Sequence, residues 1–296
     1  MTAPDRALVE LRDAATVLIL RDGAEGLEVF MLRRNLNSDF VGGAHVFPGG
    51  AVDAADRHAD LEPICQGRTD LDASRRLGIE GGGLAFWVAA IRESFEEAGV
   101  LLAYGPDGEI VDLDHHAGRD RWVEHRTAVD TGARRLIEVC EAEGLRLAVD
   151  GMHYFGHWIT PEGAPRRYDT RFFLAAAPAR QTPLHDDHEV IANEWVRPAE
   201  AVERVLAGEL TMMPPTISCL RAVARFETAA DALAAATEIT DVPTILPRVI
   251  ADGSGVRIAL PGDPEYDAPS VAPDASIHWM SNFDSRTTGL DTEHPA

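Results

Sequence analysis

The sequence predicts an α+β protein, and three features predict it. Two apolar, β-branched runs flank a turn signal between residues 14 and 33. A helix-patterned stretch runs from Leu84 to a glycine stop at Gly99. Two aromatic-rich extended stretches, 149–159 and 166–174, follow it.

Taken in order, Ala15 to Leu20 is apolar and β-branched, Asp22-Gly23 is a turn signal and Leu27 to Leu32 resumes the apolar pattern, so 14–33 reads as a hairpin or a pair of neighbouring strands. Arg33 and Arg34 then emerge at a strand end, where one of them could meet a phosphate or both could simply be solvated. Phe47-Pro48-Gly49-Gly50 is a tight turn whose glycines allow close backbone approach. The stretch from about 53 to 83 carries Asp, Arg and Gly and ends in Gly81-Gly82-Gly83. A segment this long inside a domain is usually a functional lid, so it is expected to cover or shape a site, with a plain surface excursion as the competing reading.

The helix that follows carries the chemistry. At about 100° per residue, Glu93, Glu96 and Glu97 share one arc, while Leu84, Val88, Ile91 and Phe95 share the opposite, buried arc. Gly99 sits where a helix takes a left-handed terminating residue. Like charges this close repel, and a hard divalent cation such as Mg²⁺ or Mn²⁺, which prefers oxygen ligands, would offset that repulsion. A solvated acidic helix end is the alternative.

Residues 119–142 look helical and 149–159 extended. In Arg166 to Leu174, strand alternation puts Arg167, Asp169, Arg171 and Phe173 on one face, and a polar face of that kind needs partners. His185-Asp186-Asp187-His188-Glu189 precedes a strand ending at Trp195. Pro198 to Leu206 reads as a helix, Thr216 as the N-cap of the next, and alanine-rich helices continue to about Thr237. Leu246–Ile250 and Val256–Leu260 flank Asp252-Gly253-Ser254-Gly255 as a hairpin, and beyond Pro261 the composition is that of a loose tail.

At 296 residues and 45% hydrophobic content the chain can build a real core, and no apolar run approaches the roughly 18 residues of a membrane span. A formal charge of −22 argues against a nucleic-acid partner, because a polyanion would be repelled. A small diphosphate neutralised by metal ions is not excluded. Cys65, Cys140 and Cys219 are far apart without a C-x-x-C, which suggests buried thiols and neither disulfides nor zinc. Asp5 and Glu10 stand where a signal peptide would be basic then apolar, and Glu293-His294-Pro295-Ala296 is not a peroxisomal signal, so the cytoplasm is the default expectation.

Arg92-Glu93, Glu96-Glu97, Gly99 and Val100, with Gly50 upstream, resemble the box of the Nudix hydrolases, G-x5-E-x7-R-E-U-x-E-E-x-G-U, with Ser94 at one usually apolar position. Between Gly50 and Arg92 lie 41 residues where the motif has 13, so 28 are inserted. Counting forward from Gly50 puts the first glutamate position at Asp56; counting back from Arg92 puts it at Leu84. A split box resembles the branch that includes peroxisomal coenzyme A diphosphatases. Leu32-Arg33-Arg34-Asn35 with Gly43-x3-Phe47-Pro48-Gly49-Gly50 partly echoes the coenzyme A signature, although Asp39 stands where that signature has a second arginine.

The resemblance implies a Nudix α/β/α sandwich with a mixed β-sheet over residues 10–240; the residue pattern adds a helical and β-hairpin C-terminal extension, in which 241–296 is a hairpin and then a loose tail. The resemblance also implies Mg²⁺ or Mn²⁺ held by Glu93, Glu96, Glu97 and the Gly49 carbonyl, and Arg92 orienting a box glutamate. Glu189 is the candidate further acid, with Glu194 and Asp187 behind it. Arg34, Phe47, Arg167 and Arg171 are the candidate substrate contacts, the last two because members with a split box carry a similar R-R-F/Y-D-T-x-F-F run. The implied reaction is hydrolysis of coenzyme A or acyl-coenzyme A to 3′,5′-ADP and (acyl-)phosphopantetheine. ADP-ribose, NADH, a dinucleotide or a nucleotide sugar is the second possibility, and a catalytically silent nucleotide-binding module the third. A homodimer is one state the resemblance allows.

Overall fold

The computed structural model describes residues 9–36, 42–115, 118–185, 189–252, 255–264 and 266–267. Asp39, Asp187 and the tail beyond 267 lie outside the described residues.

The sheet is built on β1 (Leu11–Gly23), whose run Ala14 to Leu20 is buried on both faces apart from the half-buried Thr16. A strand covered on both sides reads as continuously apolar, and its alternate residues feed two cores. Ala15, Val17 and Ile19 enter one; Leu18 and Leu20 enter the other. β8 (Arg167–Ala176) lies parallel to β1 from Leu11↔Arg167 to Leu20↔Ala176, and β7 (Met152–Ile159) lies antiparallel beyond it. The alternation expected of 167–173 is present: Phe173 enters the first core, Phe172 and Leu174 the second.

The other edge of β1 is divided. Its end, Leu20–Gly23, forms the expected hairpin with β2 (Gly26–Arg34), while Ala14–Thr16 pairs with β4 (Gly49–Ala51). Between them Val17 N–H donates to the Pro48 carbonyl at 3.0 Å. β2 continues against β3 (His45–Val46) and, on its opposite edge, β9 (Val190–Val196), with a register irregularity at Arg33/Arg34. β1 and β2 therefore splay, and the Phe47–Ala51 turn fills the wedge. The sheet is mixed, and β10 (Thr244–Ile245) closes it beside β7.

One face of the sheet is covered by α2 (Leu84–Ala98), with α1 (Asp70–Leu77), α3 (Arg119–Asp130) and α4 (Leu136–Glu143) around it; β5 (Ala103–Tyr104) and β6 (Arg146–Leu147) pair beside them. α5 (Pro198–Leu206), α6 (Pro214–Val223) and α7 (Ala229–Glu238) cover the second face. The hairpin β11 (Arg248–Asp252) and β12 (Gly255–Ala259) follows. Helix on sheet on helix is the α/β/α sandwich expected. Among the described residues, no helix is long and apolar enough to cross a membrane.

Two expectations are corrected and a third is sharpened. Residues 119–142 form two helices, because Gly132 takes φ 68° and Arg135 opens α4 with its N–H on the Glu138 carboxylate. Helix α6 begins at Pro214, with Met213 as N-cap in place of Thr216, since a fixed φ and a missing N–H suit proline to the first turn.

The third concerns the 53–83 insertion. It forms two 3₁₀ turns and α1, and Leu61, Cys65, Ala73 and Leu77 enter the first core. Its helix supplies what Gly83, the side-chain-less N-cap of α2, cannot. Asp70 accepts from Leu84 N–H at 3.0 Å and Gly82 N–H at 2.9 Å, and Ser74 Oγ accepts from Gly83 N–H at 2.9 Å. The segment caps α2 and also carries Asp56 to Arg92, so it shapes the site. Asp70→Ala is expected to lower stability by about 1–2 kcal/mol, read as a shift of the urea midpoint at constant m, because it orphans amides at the start of a buried helix.

Candidate active site

Helix α2 brings the motif together because it is buried on nearly every side. Of its 15 residues only Glu93 and Glu96 fall outside the buried class, and their side chains keep 14% and 12% exposure. Gly99, at φ 65°, ends it: Gly99 N–H donates to Phe95 and Val100 N–H to Ser94. The glutamates thus occupy the last turn and a half, over the wedge between β1 and β2.

Arg92 is the hub. Its Nε and Nη2 fork onto Asp56 at 3.0 Å each, Nη2 also reaches the Ala51 carbonyl at 2.8 Å, and Nη1 reaches Glu93 at 2.9 Å and Glu96 at 2.8 Å. Asp56 is 4% exposed and Arg92 8%. The count forward from Gly50 therefore finds the carboxylate that the arginine binds, and Leu84 is only a core residue. Burial pushes the Asp56 carboxyl up while its hydrogen bonds to Arg92 oppose that push. Burial likewise works against the charge on Arg92, but the Asp56 hydrogen bond and the fields of Glu93, Asp56 and Glu96 outweigh it and raise its pKa.

Glu97 points the other way. Its Oε2 accepts from Gly49 N–H at 3.0 Å in a buried setting. Burial, then Glu93 and Glu189, raise its pKa well above the usual value, against the Gly49 amide and Arg34. Burial also pushes Glu93 and Glu96 up to about 7; Asp56 and Glu189 add to the first, Glu93 and Asp130 to the second, and Arg92 opposes both. The glycines are needed for approach: a Cβ on Gly50 would stand 2.4 Å from a Glu93 oxygen, and one on Gly49 would stand 2.5 Å from the Ala15 carbonyl.

Glu189 is exposed and close enough to act on both Glu93 and Glu97, and its carbonyl accepts from Asn35 N–H at 2.9 Å, which ties it to the end of β2. Arg34 stands at the strand irregularity, its charge felt by Glu97. Such irregularities re-aim side chains. Glu93, Glu96, Glu97, Arg92, Gly49, Glu189 and Arg34 are thus one neighbourhood.

Other candidates fall elsewhere. Glu194 lies on the opposite side of the sheet region, bound to His45 at 3.3 Å and Arg204 at 3.2 Å. Arg171, 4% exposed, is held by His157 and Asp169 beneath the Phe86 ring. Arg167 gives its Nε to the Thr160 carbonyl at 3.1 Å, four ladder steps from the level of Gly50. Phe47, 3% exposed, packs in the second core. Phe47, turned into a core, and Arg171, in a buried ion pair, leave no free edge for a ligand, while Glu194 and Arg167, both partly exposed, are engaged away from the Arg92 cluster.

An all-carboxylate set raised in pKa by burial suits a hard divalent cation. Among the described residues no three acidic, His or Cys side chains already form a cage, and Glu93 and Glu96 are turned onto Arg92. Glu97, buried and answered by one amide, is the group most in need of a counter-charge.

The NUDT19 Nudix domain family matches residues 78–223. The human acyl-coenzyme A diphosphatase NUDT19 is 31% identical over 277 residues, 82% of this chain and 73% of that protein. The chain belongs to the Nudix hydrolase family. The NUDT19 of Gallus gallus is 30% identical, over 86% of this chain and 79% of its own length. A crystal structure of a Nudix hydrolase from Alicyclobacillus acidocaldarius superposes with a TM-score of 0.64 at 28% identity, over 77% of this chain and 97% of that one.

Two outcomes follow from the buried charges. Asp56→Ala is expected to cost about 3–5 kcal/mol in denaturant unfolding, since it leaves Arg92 buried without its fork. In metal-free protein, Glu93 and Glu96 titrate near 7 when folded against an ordinary 4.5, so the native state binds more protons and stability falls as pH rises through that interval. Melting curves with and without Mn²⁺ should therefore diverge with rising pH, and Glu97→Gln should melt higher than wild type without metal while losing most of the Mn²⁺-induced gain.

Proposed function

We propose that this chain hydrolyses the diphosphate of coenzyme A or acyl-coenzyme A, giving 3′,5′-ADP and (acyl-)phosphopantetheine, with Mg²⁺ or Mn²⁺ held by Glu93, Glu96, Glu97 and the Gly49 carbonyl. The observation that carries the reading is the complete carboxylate set around a saturated Arg92, with Asp56 in the position that the split box left open. The relatives named acyl-coenzyme A diphosphatase support the substrate class.

In this reading water attacks one phosphorus, a new P–O bond forms and the P–O–P bridge breaks, so each product keeps one phosphoryl group. Bound divalent cations would neutralise the phosphate oxygens and acidify a bound water. Glu189, exposed beside Glu93 and Glu97, takes the proton of the attacking water. Arg34 meets the phosphate charge from the β2 end, and Arg92 keeps Glu93 and Glu96 in place by charge-assisted hydrogen bonds.

One observation favours a wider substrate range. Asp39 stands where the coenzyme A signature has an arginine, which keeps ADP-ribose, NADH, dinucleotides and nucleotide sugars as the second reading. A silent binding module would not need the full glutamate set.

The deciding assay is turnover of purified protein with Mg²⁺ or Mn²⁺ against coenzyme A, acyl-coenzyme A, ADP-ribose, NADH and dinucleoside polyphosphates. Coenzyme A or its acyl form is expected to give the highest kcat/KM, and Glu97→Gln to lose roughly 10²–10³ in kcat or more. Arg34→Ala should raise KM about tenfold with a smaller effect on kcat. Preference for another member of the panel moves the reading to that substrate, and metal-independent silence on all of them sinks it.

A further inference from the structure

The last turn of α2 carries Glu96 and Glu97, yet the final carbonyls of a helix have no partner within it, and terminal turns fray. Here the Ser94 and Phe95 carbonyls are answered locally by Val100 and Gly99. Those of Glu96 and Ala98 are answered from outside: Ala98 accepts from Leu184 N–H at 2.9 Å, and Glu96 accepts from the Nε–H of Arg126, on α3, at 2.9 Å. The Arg126 guanidinium lies against Gly99, where a Cβ would stand 3.0 Å from its Nη1. It therefore sets a cation at the negative pole of the helix and a hydrogen bond on the peptide between Glu96 and Glu97.

We propose that Arg126, which lies outside the box, is a positioning residue that holds the α2 terminus so that Glu96 and Glu97 face the cation. The inference rests on the proposed metal-dependent reading for what the turn is used for, but the clamp is a property of the fold alone. Two features separate it from ordinary packing. The bond goes to the backbone of a ligand-bearing residue, and α3 is otherwise tied inward through His125 and Arg121 to Glu143 on α4. Loss of Arg126 should loosen one turn without loosening the helix pair.

The test uses the full chain in three forms, wild type, Arg126→Ala and Arg126→Lys, with Arg121→Ala as a variant on the same helix. Hydrogen exchange of the segment 95–101 is read first, with no metal or substrate present. Arg126→Ala is expected to speed exchange there while 84–91 stays protected; unchanged exchange at 95–101 overturns the proposal. Mn²⁺ binding is then measured by electron paramagnetic resonance. Arg126→Ala is expected to weaken it about 10–100-fold, the usual range for groups that orient metal ligands, with Arg126→Lys recovering part of the loss and Arg121→Ala unchanged. A lowered melting temperature with undiminished Mn²⁺ affinity, or an equal loss in Arg121→Ala, would mark Arg126 as merely structural and overturn the proposal. If the wild type binds no Mn²⁺ and cleaves no diphosphate, it is the metal-dependent reading that falls, and the exchange result alone then supports or overturns the clamp.

Discussion

A single buried guanidinium constrains the rest of this structure. Arg92 lies at 8% exposure among four carboxylates, and that is tolerable only because Asp56, Glu93, Glu96 and the Ala51 carbonyl use its donors in fixed directions. Asp53 stands further off, at 3.9 Å. To meet that demand, the start of the insertion must return under α2, β4 must lie in the wedge beside β1, and α2 must keep its rotation about its own axis. A buried charge left with one partner missing would cost more than most core substitutions. The same arginine fixes the direction of Glu93 and Glu96, while Glu97 is met by the Gly49 amide.

Much of this was legible in the sequence because periodicity and punctuation reported it directly. The apolar runs of β1 and β2, the alternation in β8, the glycine stop at Gly99 and the helix from Pro198 to Leu206 match the structure closely. The clustering of Glu93, Glu96 and Glu97 follows from helical spacing. Asp56 was one of two counts, and only the fold could choose between them. Arg171 and Phe47 show where the reading runs out: a residue type suited to binding is equally suited to a core or an internal ion pair, and burial separates the two. Glu194 carried a usable signal. It is five residues from Glu189, and an odd separation along extended chain puts side chains on opposite faces. Asp70 and Arg126 left no local trace, since each acts on the end of a helix distant in sequence.

The two layers divide the work. The layer of α5, α6 and α7 is held by apolar packing of Leu220, Val223, Ala232 and their neighbours against Leu18, Leu20 and Leu174. The layer of α2 contains a comparable apolar core, but its rim carries charged groups, of which Glu97 is met by the Gly49 amide and Asp56, Glu93 and Glu96 by Arg92. A site of this kind is stiff because its polar groups are spent on one another.

The insertion shows what the spacing in a sequence motif does and does not encode. Its entry is pinned where Asp56 meets Arg92, and its exit where Asp70 and Ser74 hold the first amides of α2. With both ends anchored, the intervening chain is a closed loop, and the entropy of closing it grows only logarithmically, by about 0.6 kcal/mol per doubling of length. The interval between Gly50 and Arg92 can therefore lengthen almost freely so long as a carboxylate arrives at one point and a cap at the other. A pattern written as fixed distances along the chain describes the shortest solution to a problem that is posed in three dimensions.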